Sequence, residues 1–135
     1  MNSWSNPFLT FGFQTHTASD QCDLYITLNG TLQTVLRTPT SFPMPVGKWF
    51  HIAGTWDGTT VKFYINGSLS NSSTYSGTIS YGTAGNRGQW YVGGIPGTTT
   101  NQDSPIIVQD VRVASIARPQ SYFQNIYYNG MFVNG

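Results

Sequence analysis

The stretch that decides the fold is Gly47–Ser70, which reads GKWFHIAGTWDGTTVKFYINGSLS. Two dipeptides interrupt it, Asp57-Gly58 and Asn66-Gly67, and each supplies the positive backbone angles of a tight hairpin turn at little steric cost. The residues on either side of these turns are β-branched and aromatic and alternate with polar ones, as half-buried strands do. The stretch therefore predicts a meander of three strands, Trp49–Trp56, Thr60–Ile65 and Ser68–Thr74.

The first of these strands carries a histidine that allows two interpretations. Because successive side chains of a strand point to opposite faces, one face carries Phe50, Ile52 and Trp56 and the other carries Trp49, His51, Ala53 and Thr55. A catalytic His51 would need a nucleophile or an acid at a recognisable spacing, and the sequence offers none. We favour the second interpretation, in which His51 is a structural residue that is hydrogen-bonded within the sheet.

Strand patterns recur along the rest of the chain, and helical periodicity is nearly absent. Asn29-Gly30 has the turn chemistry of a further hairpin. The additional predicted strands are Phe8–Gln14, Asp23–Leu28, Thr31–Arg37, Gln89–Ile95 and Ile106–Ala114. The stretch SYFQNIYYNG after Pro119 predicts one or two helical turns that end at Gly130. Short strands at near-regular spacing predict an all-β sandwich or jelly roll.

Length and composition limit the classes of partner. The chain has 135 residues, so we expect residues 1–135 to form one domain. Six Lys and Arg stand against five acidic residues, a net charge of +1, which lacks the basic surface that nucleic acid requires. No apolar run is long enough to span a bilayer, and the first residues do not have the pattern of a signal peptide. The single cysteine, Cys22, excludes an internal disulfide and is expected to be a small packed residue.

The Gly47–Ser70 stretch resembles the central signature of the laminin-G-like, concanavalin A-like jelly rolls. Two later segments, QWYVGG and VQDVRVASIARPQSYFQNIYYNG, are similar to that family's aromatic–Gly-Gly strand and to its closing strand and short helix. The resemblance implies an all-β, antiparallel jelly-roll sandwich of the concanavalin A-like lectin/glucanase type. The positions that match the central signature are Trp49, His51, Ala53, Thr55, Trp56, Asp57, Gly58, Tyr64, Asn66 and Gly67.

The beginning of the chain departs from the family pattern. Members of the family usually carry one or two more strands before the part that FLTFGFQ matches. We therefore expect a sandwich shortened at its N-terminus, or one whose missing edge is supplied by a neighbour, since an unpaired strand edge promotes aggregation. This expectation favours a protein that works within an assembly.

Glycoside hydrolysis is the sharpest enzymatic alternative, and the sequence argues against it. Laminarinase-type enzymes share the jelly roll and use two glutamates that flank an aspartate on one strand, as acid and nucleophile. This chain contains no glutamate, and its five acidic residues are all aspartates. We expect a protein without catalytic residues.

The loop YGTAGNRGQW, residues 81–90, is the best candidate for recognition. Asn86 and Arg87 provide hydrogen-bond donors, and Tyr81 or Trp90 could stack on a sugar ring or pack against a protein partner. The alternative is a packed hairpin loop whose Trp90 points into the core. We expect no obligatory cofactor, although the resemblance leaves Ca²⁺ open. Asp103 is the weak candidate for such a metal ligand, against the alternative of a solvated turn residue.

Two functions remain open from the sequence. The first is a structural or attachment module at a virion surface, such as a phage decoration or fibre component, whose partners are other protein subunits or copies of itself. The second is a lectin-like module that recognises glycans on a cell or virus surface. The low charge and the abundance of Thr, Asn, Gly and Tyr are typical of virion and extracellular proteins. The predicted location is therefore a virion or extracellular surface, without membrane insertion.

Overall fold

Two small antiparallel sheets and one helix make up the described part of the chain. The computed structural model describes residues 11–16, 21–39, 47–80 and 107–130. The elements are β1 (Phe11–His16), β2 (Gln21–Leu28), β3 (Thr31–Arg37), β4 (Ile52–Trp56), β5 (Thr60–Ile65), β6 (Ser68–Thr74) and α1 (Gln120–Gly130). The strands pair in the orders β1-β2-β3 and β4-β5-β6, which confirms the predicted all-β antiparallel sandwich.

The hairpin turns lie where their dipeptides predict them. Asn29 and Gly30 have φ angles of 50° and 77°, and Asn66 and Gly67 have 50° and 76°. Both central residues of each turn are thus left-handed, the geometry that matches the twist of the flanking strands. Because these turns determine where the strands end, the observed bounds of β3, β5 and β6 agree with the predicted ones.

The core lies between the two sheets. Ile52 and Trp56 pack against it from β4, as expected of the face that carries them. Between them, Gly54 comes so close to the first sheet that an added Cβ would lie 3.0 Å from side-chain atoms of Leu24 and Phe11. The buried residues that form the core cluster are Cys22, Leu24, Ile26, Leu28, Leu36, Val61, Phe63 and Ile65.

The central strand of the first sheet, β2, also buries a carboxylate, that of Asp23, on its other face. Asp23 is 1% exposed, and its two carboxylate oxygens accept hydrogen bonds from Arg37 Nε at 2.5 Å and Arg37 Nη2 at 2.8 Å. The Tyr25 hydroxyl donates a third hydrogen bond at 3.2 Å. The hydrogen bond to Asp23 raises the pKa of Arg37 above its ordinary value. These bonds satisfy a carboxylate that would otherwise be costly to bury.

The segment that follows β6 connects the two sheets. It leaves the second sheet at Thr74 and pairs with the end of β2, where Ile79 forms an isolated bridge with Leu28. The Asn29 N–H donates to the Thr78 carbonyl at 3.0 Å, and the Asn29 Oδ1 accepts from the Thr78 N–H at 3.0 Å. The first hairpin turn is therefore anchored to the second sheet by residues distant in sequence.

Two predicted strands in the described region depart furthest from the structure. The strand expected from Trp49 begins only at Ile52. The reason is that the His51 backbone bonds to Asn66, which lies outside the strand ladder: the His51 N–H donates to Asn66 Oδ1, and the His51 carbonyl accepts from the Asn66 N–H. The strand predicted over Ile106–Ala114 does not form within residues 107–114. Asp110 has a φ angle of 59°, a left-handed conformation that interrupts the extended backbone of a strand.

The helix α1 is longer than the predicted one or two turns, and it ends at Gly130 as predicted. It packs on the face of the second sheet that points away from the core. Phe123, 7% exposed, anchors it there, with ring centroids 4.6 Å from Tyr64 and 6.2 Å from His51. Tertiary contact, rather than local propensity, thus extends the helix. Within the described residues, α1 is too short and too polar to cross a membrane.

Candidate functional site

The candidate site lies on the outer face of the second sheet, which we define as the face opposite the core. Val61 and Phe63 of β5 point into the core, so the alternating Lys62 and Tyr64 point outward. Thr55 of β4 pairs with Lys62. Across the other edge, Leu69 of β6 pairs with Tyr64. These outward side chains form a continuous floor.

The chain leading into α1 forms a wall beside this floor. It encloses a groove of about 390 Å³, which we call the outer-face groove. Tyr64 is 3% exposed and Thr55 is 8% exposed, so this part of the floor is closely packed. Leu69 is 46% exposed and presents an apolar side chain at the surface. The residues that line the groove are Thr55, Asp57, Lys62, Tyr64 and Leu69 on the sheet side and Ala117, Arg118, Pro119 and Gln120 on the wall.

Arg118 is the most informative residue of the wall. Its guanidinium carbon lies 5.1 Å from the centroid of the Tyr122 ring, a cation–π contact that holds the side chain in place. Its Nε is buried and has no hydrogen-bond partner among the described residues. Because this Nε is itself inaccessible, a ligand in the groove would meet the other N–H groups of the guanidinium.

The groove carries more positive than negative charge. Lys62 and Arg118 line it, and neither forms an ion pair with a carboxylate of the described residues. Asp57 is the acidic residue at the groove, and its Oδ1 accepts hydrogen bonds from the Thr59 N–H at 3.0 Å and the Thr60 N–H at 2.8 Å. The hydrogen bonds to Thr60 and Thr59 lower the pKa of Asp57. The aspartate is thus occupied in its own turn.

His51 lies on the same outer face, beneath α1. Its backbone N–H donates to Asn66 Oδ1 at 3.0 Å, while its Nδ1 is buried without a partner in the described part of the chain. The prediction that His51 is a structural residue hydrogen-bonded within the sheet therefore holds for its backbone but not for its Nδ1. Burial lowers the pKa of His51; the nearby Asp110 carboxylate opposes this shift and Arg112 adds to it.

We expect the free energy of unfolding to decrease as the pH falls from about 7 to about 5, because of His51. A histidine whose pKa is lower in the folded protein binds more protons in the unfolded chain. Its contribution is therefore complete above the unfolded value of about 6.5 and is lost as the pH falls toward the folded value. The slope is at most about 1.4 kcal/mol per pH unit for one proton.

Urea unfolding at several pH values, with His51→Gln as the comparison, checks this expectation. The variant should show a flatter dependence over this pH range. The pKa values of Asp57 and Asp110 are lowered from an ordinary value near 4. These two groups therefore change the free energy of unfolding only at lower pH, and not between about pH 7 and about pH 5. An unchanged slope in His51→Gln would show that His51 is not the titrating group.

An exposed aliphatic stretch precedes the groove wall, and we call residues 107–116 the apolar segment. Its side chains alternate with polar ones but pack against little of the described structure. Arg112 Nε donates to Asp110 Oδ1 at 2.8 Å, and hydrogen bonds to Asp110 and Tyr122 raise the pKa of Arg112. Arg112 thus links the segment to Tyr122 of α1. Its exposed apolar residues are Ile107 at 83%, Val108 at 44%, Val111 at 61%, Val113 at 64% and Ile116 at 59%.

The site residues predicted from the sequence lie elsewhere. Tyr81, Asn86, Arg87 and Trp90 of the recognition loop, and the metal candidate Asp103, are outside the described residues, so they stay predictions. Among the residues that the structure describes, no group of three or more His, Cys, Asp or Glu could hold a metal ion.

Sequence reasoning missed the outer-face groove. The alternation of β5 already placed Lys62 and Tyr64 on the face opposite Val61 and Phe63. Nothing in the local sequence showed that Arg118, more than 50 positions later, would lie across from them. The Arg118-Pro119 pair by itself indicates only the beginning of a helix.

Comparison with known proteins agrees with this architecture. The family model described as the concanavalin A-like lectin/glucanases superfamily, of the laminin G type, matches residues 2–121. Among solved structures, the fold is similar to that of an S-layer domain-containing protein from Clostridium thermocellum ATCC 27405, with a TM-score of 0.52 and 18% sequence identity. That match covers 94% of this chain and 68% of the other. No curated protein matches the sequence.

Proposed function

Because this chain belongs to the concanavalin A-like lectin/glucanases superfamily, we propose that it is a non-catalytic attachment module of a virion or extracellular surface. In this proposal it packs against neighbouring subunits, including copies of itself, through the apolar segment. The observation that carries it is the exposure of Ile107, Val111 and Val113, each more than half exposed within one short stretch. Contiguous apolar surface of this kind marks an interaction site in soluble proteins.

The absence of glutamate supports a non-catalytic role, since a glycosidase of this fold needs two suitably placed carboxyl groups. Each of the three aspartates in the described region already has partners. Asp23 is buried against Arg37, Asp57 caps its own turn, and Asp110 pairs with Arg112. A carboxylate held in this way is poorly placed to act as acid or nucleophile.

A surface location is in keeping with two further observations. Only 8% of the residues are charged, and the polar surface is made largely of uncharged side chains such as those of β6, SLSNSST. The S-layer domain-containing protein offers one example of a similar fold. Within this proposal, we place the chain on a virion rather than on another extracellular surface.

Measuring the mass of the purified chain as a function of concentration tests the attachment role. We expect mass photometry and sedimentation to show self-association that is lost in Val111→Ser/Val113→Ser, because the double change removes apolar area from the proposed interface. Leu69→Ser is the matched control, since Leu69 is exposed but lies in the groove, and it should associate normally. A chain that stays monomeric at high concentration would contradict the proposal.

Glycan recognition is the second candidate function. The specific observation in its favour is the outer-face groove, where Lys62 and Arg118 line a concave surface without ion-pair partners in the described structure. The loop with Tyr81, Asn86, Arg87 and Trp90 is a separate proposed site for the same function. Saturable binding on a glycan array that is lost in Trp90→Ala or Arg87→Ala would favour the loop.

A further inference from the structure

We infer that the outer-face groove binds a carboxylate-bearing sugar residue of an acidic polysaccharide. This inference rests on glycan recognition, the second of the proposed functions, and specifies both the place and the charge of the ligand. It is independent of the apolar segment and of the loop that contains Trp90.

The groove wall supplies a guanidinium that can bind a carboxylate. Arg118 lines the groove and is partly exposed, and its guanidinium carbon lies 5.1 Å from the centroid of the Tyr122 ring. A guanidinium presents its N–H groups in a rigid fork that matches the two oxygens of a carboxylate. The terminal Nη groups of Arg118 can bind such a carboxylate while the contact with Tyr122 stays in place.

The floor of the groove carries a positive charge. Lys62 lies half-buried beside Thr55, its pairing partner across β4 and β5, and it has no ion pair within the described residues. Together with Arg118 it gives the groove two cations against one aspartate, Asp57. An anionic ligand is therefore favoured, although Asp57 lowers the attraction.

The size and location of the groove favour a sugar over an acidic peptide. A volume of about 390 Å³ is near the lower end of small-molecule sites and suits one or two sugar rings. The groove lies on the face of a sheet whose central strand, β5, is already paired on both sides. An extended peptide could not add to it as a further strand. The polar Thr55 and Gln120 and the exposed Leu69 offer contacts for hydroxyls and for a ring face.

Affinity electrophoresis of the purified chain tests the inference with four probes: polygalacturonate, alginate, polysialic acid and, as the neutral comparison, galactan. We expect retardation by at least one acidic polymer, weakening as salt is added, and none by galactan. Arg118→Ala should weaken this binding about tenfold or more, because a charge-assisted pair is lost. Arg118→Lys, which keeps the charge but not the fork, should fall between the two.

Two further variants separate a specific groove from general charge. Lys62→Ala should weaken binding several-fold, whereas Lys48→Ala removes the same charge from an exposed position outside the groove and should change it less than about twofold. Asp57→Asn keeps the turn's Oδ1 acceptor but removes the opposing charge, so it should tighten binding about two- to fivefold. Circular dichroism of each variant verifies that it folds.

The contrary outcomes are distinct. No retardation by any acidic polymer, or equal losses in Lys48→Ala and Lys62→Ala, would overturn the inference. Binding to galactan that ignores Arg118 would overturn it while leaving glycan recognition standing. Binding of poly-glutamate with the same affinity and the same dependence on Arg118 would show that the groove takes acidic peptides instead.

Discussion

Replacing Gly67 by alanine should lower the free energy of unfolding by about 2–5 kcal/mol. Gly67 has a φ angle of +76°, and an alanine held in that left-handed region costs about 1–2 kcal/mol. Its added Cβ would also lie 2.8 Å from the Cα of Gln124 and 3.2 Å from the carbonyl oxygen of Phe123. Those are backbone atoms of α1, so the contact can be relieved only by moving the helix, at a further cost of about 1–3 kcal/mol.

Gly30→Ala provides a control with the same backbone geometry and no crowding. Gly30 has a φ angle of +77°, and its added Cβ would meet nothing within 4 Å. Its cost should therefore be confined to the left-handed backbone, about 1–2 kcal/mol. Urea unfolding of both variants, compared at equal m-values, measures the difference. Equal losses of stability in the two variants would mean that α1 does not pack against the Asn66-Gly67 turn.

The same substitution connects fold to site. Moving α1 away from the Asn66-Gly67 turn would also move the wall of the outer-face groove, because Arg118 lies just before the helix. We therefore expect any binding that depends on Arg118 to weaken in Gly67→Ala but not in Gly30→Ala. The Asn66-Gly67 turn thus helps to position the wall of the candidate site.

The second sheet could be predicted closely from the sequence because its signals are local. The Asn66-Gly67 turn needs only its two left-handed residues, and the Asp57 side chain holds the preceding turn by accepting hydrogen bonds from the Thr59 and Thr60 N–H groups. The alternation of β5 follows from the strand itself. The observed bounds Thr60–Ile65 and Ser68–Thr74 equal the predicted ones. The resemblance of this stretch to a known family points to the same local chemistry.

The strand predicted over Ile106–Ala114 shows where local signals fail. Its alternating aliphatic residues satisfy the pattern of a half-buried strand, but a strand also needs a partner and an extended backbone throughout. Asp110 has a left-handed φ of 59°, and its carboxylate pairs with Arg112 two residues on. A side chain that bonds locally in this way competes with the sheet ladder, and no propensity scale reports the outcome.

The candidate site was beyond sequence reasoning for a different reason. The groove forms only when the chain near Arg118 folds back over Lys62, and that return depends on Phe123 packing against Tyr64. Each of those residues is unremarkable in its own stretch. Contacts between positions so far apart along a chain leave no periodic trace, so the sequence directed attention to the glycine-rich loop instead.

Phe63→Ala should lower the free energy of unfolding by about 3–5 kcal/mol, the range typical of a buried phenylalanine cut back to alanine. Phe63 is 0% exposed and belongs to the core cluster shared by both sheets. Its ring centroid lies 5.5 Å from that of Phe13 in β1, so its loss leaves a cavity between the sheets. Since small domains have about 5–15 kcal/mol of stability in total, a large part of the variant could be unfolded at physiological temperature.

Two companion variants show whether the loss comes from packing between the sheets. Phe13→Ala removes the same atoms from a residue that is 37% exposed and should cost only about 1–2 kcal/mol, since less apolar area leaves the core. Phe63→Leu retains much of the volume and should fall between the two. Urea unfolding followed by tryptophan fluorescence measures all three. If Phe63→Ala costs no more than Phe13→Ala, the two sheets do not share a core, and the sandwich on which the groove is built is not the folded state in solution.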